Sequence, residues 1–128
     1  MNNSQSLTLD EYQKRAMDTC MESCENITYM LTNLTAEVGE LAGKIAKAVR
    51  SGKVTIEGNQ LVYSKECMES DATCLRRDLM YEAGDVLWQL AGLCTVLHLP
   101  LEYVAEKNLA KLADRKKRGV IDGTGDNR

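Results

Sequence analysis

Two segments that lie far apart in the chain carry the same short pattern of an acid, any residue, a glycine, a second acid and an aliphatic residue. The first is EVGEL, residues 37–41, and the second is EAGDV, residues 82–86. Residues three positions apart lie on one face of an α-helix. If both segments are helical and pack side by side, four carboxylates converge, namely those of Glu37, Glu40, Glu82 and Asp85. The pattern therefore predicts two helices that meet along an acidic face.

Converging carboxylates need a compensating charge. Bare like charges 4 Å apart cost about 4 kcal/mol per pair at an effective dielectric constant of ~20. A bound divalent cation reverses the sign of this interaction, and all-oxygen ligands favour Mg²⁺ or Mn²⁺ over zinc or copper. Glycine inside a helix costs up to about 1 kcal/mol relative to alanine, and a close approach of the two backbones would offset that cost at Gly39 and Gly84. Either acid pair alone is typical of a solvated helix face, whereas the two together favour a metal site.

Other metal and catalytic designs fit the sequence less well. A di-iron carboxylate bundle needs Glu-x-x-His on two helices, and the single histidine, His98, follows neither acid pair. One histidine also weakens a Ser-His or Cys-His hydrolase, and its place near a helix end favours a structural role. A four-thiolate zinc site lacks the spacing of known zinc knuckles, so reduced, partly buried thiols are favoured over it. The four ligands of such a zinc site would be Cys20, Cys24, Cys67 and Cys74.

Composition limits the size of the core and the class of partner. A chain of 128 residues predicts one domain over residues 1–128. Phe is absent and there is one Pro, which favours helix and a core of Leu, Val, Ala, Met and Cys. The net charge of −3 argues against nucleic acid, and an anionic ligand would need a metal or a local cationic cluster. With neither a secretory signal nor a membrane-length apolar run in the sequence, we expect a cytoplasmic protein without a membrane partner.

Hydrophobic spacing and capping signals predict four helices, and hence an all-α fold. We expect these helices at about 9–21, 27–50, about 72–97 and about 101–117. Thr8 and Glu11 fit a capping box, and Pro100 pre-sets the start of the last helix. Residues 54–63, VTIEGNQLVY, predict a small β-hairpin flap, and residues 64–71 predict a loop.

The apolar composition of the third helix indicates how the chain assembles. From Val86 to Leu97 only Gln89 and Thr95 have strongly polar side chains. A helix that is apolar on nearly all sides is buried on more than one side, and three other short helices can hardly cover it. We therefore expect a second copy of the chain to complete the bundle, as a homodimer or homotetramer.

Taken together, the acid pairs and their flanks resemble the MazG-like superfamily of all-α nucleoside triphosphate pyrophosphohydrolases. LTAEVGELAGKIAKAVR resembles the first metal helix of that family, and LMYEAGDVLWQLAGLC resembles the second. LTLDEYQKRA resembles the opening helix, and EKNLAKLADRKKRGVIDGTGDNR resembles the end of a bacterial and phage branch. The likeness covers most of the chain, although residues 54–75 form a longer connection than in the most compact relatives.

The resemblance implies an Mg²⁺-dependent hydrolysis, with Mn²⁺ as a substitute, of a (d)NTP to the (d)NMP and pyrophosphate. Glu37, Glu40, Glu82 and Asp85 would hold the metal, and one of them, such as Glu40, would act as general base.

Substrate contacts are predicted on the fourth and first helices. Asn108, Lys111 and Arg115 form one stripe, which either holds phosphate oxygens or complements the helix C-terminus; the family pattern favours phosphate binding. Tyr12 and Gln13 resemble base-contacting positions of the opening helix. Lys44 and Lys47 are weaker phosphate candidates that could simply pair with acids.

Two alternatives stay open at the level of sequence. One is a phosphoribosyl-ATP pyrophosphohydrolase-type activity within the same superfamily. The other is a helical protein that binds a nucleotide or a partner without turnover, although such a protein would not need four converging carboxylates.

Overall fold

The computed structural model describes the backbone of residues 6–65 and 69–122 and the side chains of residues 6–65 and 74–122. This part of the chain forms four α-helices, with a two-stranded antiparallel hairpin between the second and the third. The elements are α1 (Leu9–Met17), α2 (Ile27–Arg50), β1 (Val54–Glu57), β2 (Gln60–Tyr63), α3 (Glu69–Val96) and α4 (Leu101–Arg118). A single 3₁₀ turn, Glu22–Cys24, precedes α2. The all-α architecture and the hairpin are confirmed.

Helix α1 begins at the predicted cap but ends earlier than the sequence indicated. Thr8 Oγ1 accepts a hydrogen bond from the Glu11 backbone N–H at 3.1 Å. The expected extension to about residue 21 is wrong, because the carbonyl of Ala16 is bonded elsewhere. It accepts from Thr19 Oγ1 at 2.7 Å and from Trp88 Nε1 at 3.0 Å. Trp88 is thus a packing residue that fixes the end of α1 to α3.

Helix α2 and the hairpin follow the sequence closely. Lys53 N–H reaches the Ala48 carbonyl at 3.0 Å, and Gly52, with φ of +70°, provides the left-handed residue that ends the helix. In the hairpin, Gly58 and Asn59 form a two-residue turn with φ of +55° and +65°, as a type I′ turn requires. Val54 of β1 is fully buried, which anchors the hairpin in the fold.

Helix α3 begins earlier than predicted and ends within one residue of the predicted end. The backbone is helical from Glu69, so residues 69–71, expected in a loop, belong to the helix. These polar residues give no hydrophobic periodicity, so the sequence pattern could not indicate where the helix begins. At the other end, His98 adopts φ of +57°, and Leu99 N–H bonds to the Cys94 carbonyl at 2.8 Å. His98 thus occupies the left-handed position at which the helix ends, and its structural role stays a prediction.

Helix α4 is started by side chains from α1. Pro100 occupies the cap position, and Asp10 Oδ1 accepts from the Glu102 N–H at 2.9 Å. Gln13 Oε1 accepts from the Leu101 N–H at 2.8 Å. These two bonds satisfy backbone donors that a helix start leaves unpaired. They also attach α1 firmly to α4.

The packing of α2 against α3 is the most extensive contact between the described elements and sets the geometry of the site. The two helices run antiparallel, because Met30 near the start of α2 lies against Gly92 near the end of α3. At the other end, Lys44 of α2 reaches Glu82 of α3. A small apolar cluster of Ala91, Cys94 and Leu101 joins α3 to α4, with Tyr12 and Val104 packed against it.

None of the described helices is both long enough and apolar enough to cross a membrane.

Candidate metal-binding active site

Three of the four predicted acids converge between α2 and α3. A carboxylate oxygen from each of Glu37, Glu40 and Glu82 lies within 4.8 Å of the other two. The i, i+3 spacing places the first two on one face of α2, and antiparallel packing brings Glu82 of α3 opposite them. The Glu82 side chain is only 12% exposed, whereas Glu40 is exposed to solvent. The arrangement is a shielded acidic site with one open side.

Asp85 lies beside this group rather than within it. It follows Glu82 by three residues on α3 and is exposed. Its charge contributes to raising the pKa of both Glu37 and Tyr12. Asp85 stays a predicted ligand, because the cluster contains only the other three acids.

The convergence of the acids affects the pKa of Glu37. Its pKa is raised above that of an ordinary glutamate, first by burial and then by the charges of Glu40, Asp85 and Glu82. Asn33 acts in the opposite direction, because its Nδ2 donates a hydrogen bond to Glu37 Oε1 at 2.9 Å. Asn33 was not singled out from the sequence, although its i, i+4 spacing from Glu37 could have indicated the contact.

Lys44 provides the positive charge nearest to the cluster. Its Nζ lies 3.1 Å from Glu82 Oε1, and the pKa of Lys44 is raised chiefly by this contact. The sequence left open whether Lys44 pairs with an acid or binds phosphate. The ion pair confirms the first role in the ligand-free chain.

The residues present fit a hard divalent cation. Three carboxylates supply oxygen donors only, which is the ligand chemistry of Mg²⁺ and Mn²⁺. Within the described residues the grouping of potential ligands is this acidic one, and no grouping of thiols accompanies it. Cys20, Cys24, Cys74 and Cys94 are free thiols, whereas Cys67 lies outside the described residues.

Comparison with known proteins decides the family. The model of the MazG nucleotide pyrophosphohydrolase domain matches residues 25–120, a range that contains all four acids. The chain belongs to the MazG nucleotide pyrophosphohydrolase domain family. Gene 37 protein of Mycobacterium phage L5 is 37% identical over 129 residues, which cover 94% of this chain and 98% of that protein. No solved structure matches the chain significantly.

The three phosphate ligands predicted on α4 of this MazG domain have different surroundings. Asn108 and Lys111 line a cavity of about 340 Å³ with residues of α4 and with Leu99, and its lining contains none of the four acids. Arg115 is buried, with 7% of its surface exposed. The stripe read from the sequence is therefore split between an open cavity and a buried position.

The two base-contact candidates on α1 differ in how far their side chains are already engaged within the fold. Tyr12 is half-buried and packs against the Ala91, Cys94 and Leu101 cluster, and its pKa is raised first by burial and then by the charge of Asp85. Gln13 is instead occupied by the fold. Its Nε2 donates to Thr95 Oγ1 at 3.0 Å and to the Leu99 carbonyl at 3.1 Å, while its Oε1 accepts from Leu101. A base could use Gln13 only by breaking these bonds.

The role expected of the two motif glycines is wrong. A Cβ atom added at Gly39 or Gly84 would meet nothing within 4 Å. The close approach occurs two turns further along α3, at Gly92, where an added Cβ would lie 2.6 Å from Met30 Cε. The two motif glycines are exposed and lie outside the contact between the helices.

The raised pKa of Glu37 makes the stability of the metal-free protein dependent on pH. A carboxyl whose pKa is raised by folding stabilises the fold below its unfolded value of about 4.3, and this contribution is lost as the pH rises through the folded value. We expect the melting temperature of the wild type in EDTA to fall relative to that of Glu37→Gln as the pH rises from about 4 to 7. Circular dichroism would measure both temperatures; a gap that stays constant with pH would contradict this assignment.

Proposed function

We propose that this MazG domain hydrolyses a (d)NTP to the (d)NMP and pyrophosphate with Mg²⁺, or with Mn²⁺ as a substitute. The observation that carries the proposal is the convergence of Glu37, Glu40 and Glu82 from two helices. Such a cluster is unfavourable by itself and becomes favourable around a divalent cation. Membership of a nucleotide pyrophosphohydrolase family supports the reaction class.

In this proposal the acids of the site have two roles, metal binding and general-base catalysis. Glu37, Glu40 and Glu82 would hold Mg²⁺, with Asp85 as a fourth ligand. When bound, the metal screens the triphosphate and polarises the attacked phosphoryl group. Glu40 is the exposed acid of the cluster, and in this proposal it would orient the attacking water and accept its proton.

Neighbouring side chains hold these acids in position. Asn33 fixes one oxygen of Glu37 through the 2.9 Å hydrogen bond. Lys44 holds Glu82 through the 3.1 Å ion pair. Both contacts reduce the freedom of the carboxylates, and preorganised ligands bind a metal more tightly than mobile ones.

Two sets of substrate contacts belong to this proposal. Tyr12 is a candidate base contact because the charge of Asp85 contributes to raising its pKa, whereas the bonds of Gln13 favour a structural role. Asn108, Lys111 and Arg115 remain candidate phosphate ligands on α4.

We further propose that the functional unit is a homodimer or homotetramer of a single 128-residue domain. Apolar side chains on both helices of the site are open to solvent in the single chain, including Val38 at 50%, Leu87 at 38% and Leu97 at 44%. Removing such area from water contributes roughly 25 cal/mol per Å². Light scattering with size-exclusion chromatography should give a mass of two or four chains, and a monomer at micromolar concentration would contradict this.

Residues outside the family match are part of the same unit in this proposal. Helix α1 lies before residue 25 but is bonded to α3 through Trp88 and to α4 through Gln13.

A nucleotide substrate and free thiols in the described residues support a cytoplasmic location.

The decisive experiment is a panel of (d)NTPs and phosphoribosyl-ATP incubated with the protein and Mg²⁺. Pyrophosphate release from one or more (d)NTPs is expected, and EDTA should abolish it. Activity on phosphoribosyl-ATP alone would replace the proposed substrate class. No turnover of any compound would favour a binding protein instead.

A further inference from the structure

A second cavity lies directly beyond the acidic site. It measures about 460 Å³ and is enclosed by the C-terminal half of α2, the hairpin and the start of α3. Val54 of β1 is fully buried at its base, and Tyr63 of β2 forms part of its wall. The hairpin thus builds one side of a defined cavity.

Positive charge is concentrated in this cavity. Four cationic side chains and a single acid, Asp78, contribute to its lining, for a formal charge of +3. The cations are Lys44, Lys47, Arg50 and Lys53. The whole chain has a formal charge of −3, so the cavity has the opposite sign to the protein as a whole. Such a site attracts an anion.

Helix α2 connects this cavity to the acids. Glu37, Glu40, Lys44 and Lys47 fall at i, i+3, i+7 and i+10, which places them on one face. At 1.5 Å per residue, Lys44 lies about 6 Å and Lys47 about 10 Å along the axis from Glu40. Lys44 belongs to both sites, because it lines the cavity and also pairs with Glu82.

We propose that this cationic cavity binds the β- and γ-phosphoryl groups of the substrate, the part that leaves as pyrophosphate. The inference rests on the proposed function, and it fixes the direction of the nucleotide along α2. The reacting phosphorus lies at the acids, and the rest of the triphosphate extends towards Lys47 and Arg50. Lysine binds phosphate as a point charge, and arginine binds it through a planar fork.

The charge distribution favours this direction over its reverse. An anionic chain that extended from the acids towards the start of α2 would pass Asn33, which provides no positive charge and whose amide is bonded to Glu37. Towards the end of α2, each further turn provides a cation. The phosphate groups furthest from the metal would therefore be neutralised by the protein itself.

The test measures binding of inorganic pyrophosphate to the full-length protein by isothermal titration calorimetry with Mg²⁺ in excess. Lys47→Gln and Arg50→Gln change exposed side chains of α2, so folding should be preserved; circular dichroism checks this. We expect each to weaken binding about tenfold, and the double variant about 100-fold, since each substitution removes one charge-assisted contact to a phosphate oxygen. KM for the triphosphate should rise in parallel.

Two matched variants on α4 serve as comparisons. Lys117→Gln removes an exposed cation that lines neither cavity and should change pyrophosphate affinity less than twofold. Lys111→Gln tests the α4 stripe. The proposal is overturned if the double variant binds pyrophosphate as tightly as the wild type, if the wild type does not bind it, or if only Lys111→Gln loses it.

The outcomes separate this inference from the proposed function. Loss of pyrophosphate binding in the double variant, without turnover of any triphosphate by the wild type, would support the cavity and contradict the enzyme. Turnover by the wild type with unchanged binding in the double variant would support the enzyme and contradict the cavity.

Discussion

Glu37→Gln is expected to reduce triphosphate hydrolysis by about 1,000-fold and, at neutral pH, to raise the melting temperature of the metal-free protein. Loss of a metal ligand removes about 4 kcal/mol of transition-state stabilisation, on the order of 10³ in rate. The same change removes a partly buried charge from three acidic neighbours that raise its pKa. The amide oxygen can still accept the bond from Asn33. Turnover assays and thermal unfolding in EDTA measure the two effects.

Glu82→Gln provides the contrast that identifies the cause. It should lose activity to a similar degree, but it should not gain stability, because Lys44 loses its ion-pair partner at 3.1 Å. Glu106→Gln on α4 is a matched control, since it makes the same chemical change at an exposed position outside the cluster. It should keep full activity. A fully active Glu37→Gln variant would remove this residue from the metal site.

Gly92→Ala is expected to destabilise the fold by about 1–3 kcal/mol, the usual range for an overpacked core. The added methyl group would lie 2.6 Å from Met30 Cε, and because Met30 is fully buried, its thioether would have to shift within the core. We expect this shift to cost more than the helix propensity that alanine gains over glycine. Urea unfolding measures the effect, and the fluorescence of Trp88, the single tryptophan, reports the transition.

Gly43→Ala is the matched control for this substitution. Gly43 also lies inside a helix of the site, but an added Cβ would meet nothing within 4 Å. The better helix propensity of alanine should stabilise this variant by up to about 1 kcal/mol. If Gly92→Ala were as stable as the wild type, the contact between α2 and α3 at Met30 would have to be looser than described.

Much of the local structure could be predicted from the chain because its causes are local. The cap at Thr8 depends on residues within one turn, as does the stop at Gly52. The hairpin depends on the Gly58–Asn59 turn between two β-branched stretches. The end of α1 could not be predicted in this way, because Trp88, 72 positions away, takes the Ala16 carbonyl.

The same division applies to the candidate site. The i, i+3 spacing was sufficient to predict that Glu37 and Glu40 share a face, but it could not show that Asp85 lies outside the cluster of three. Residue spacing shows which side chains share a face of a helix, but it does not show which other element that face contacts. For this reason the sequence could not show that Gln13 is bonded within the fold, nor that Asn108 lines a cavity away from the acids.

The sequence by itself determined that the chain has four helices and two acidic pairs and that it resembles this family, since these features depend on spacing and residue type over short stretches. Tertiary structure alone decided that Gly92 makes the close contact and that Lys44 joins the acids to a cationic cavity. The physical reason is that these features depend on the register between α2 and α3. That register is set by packing along the whole length of both helices rather than by any one motif.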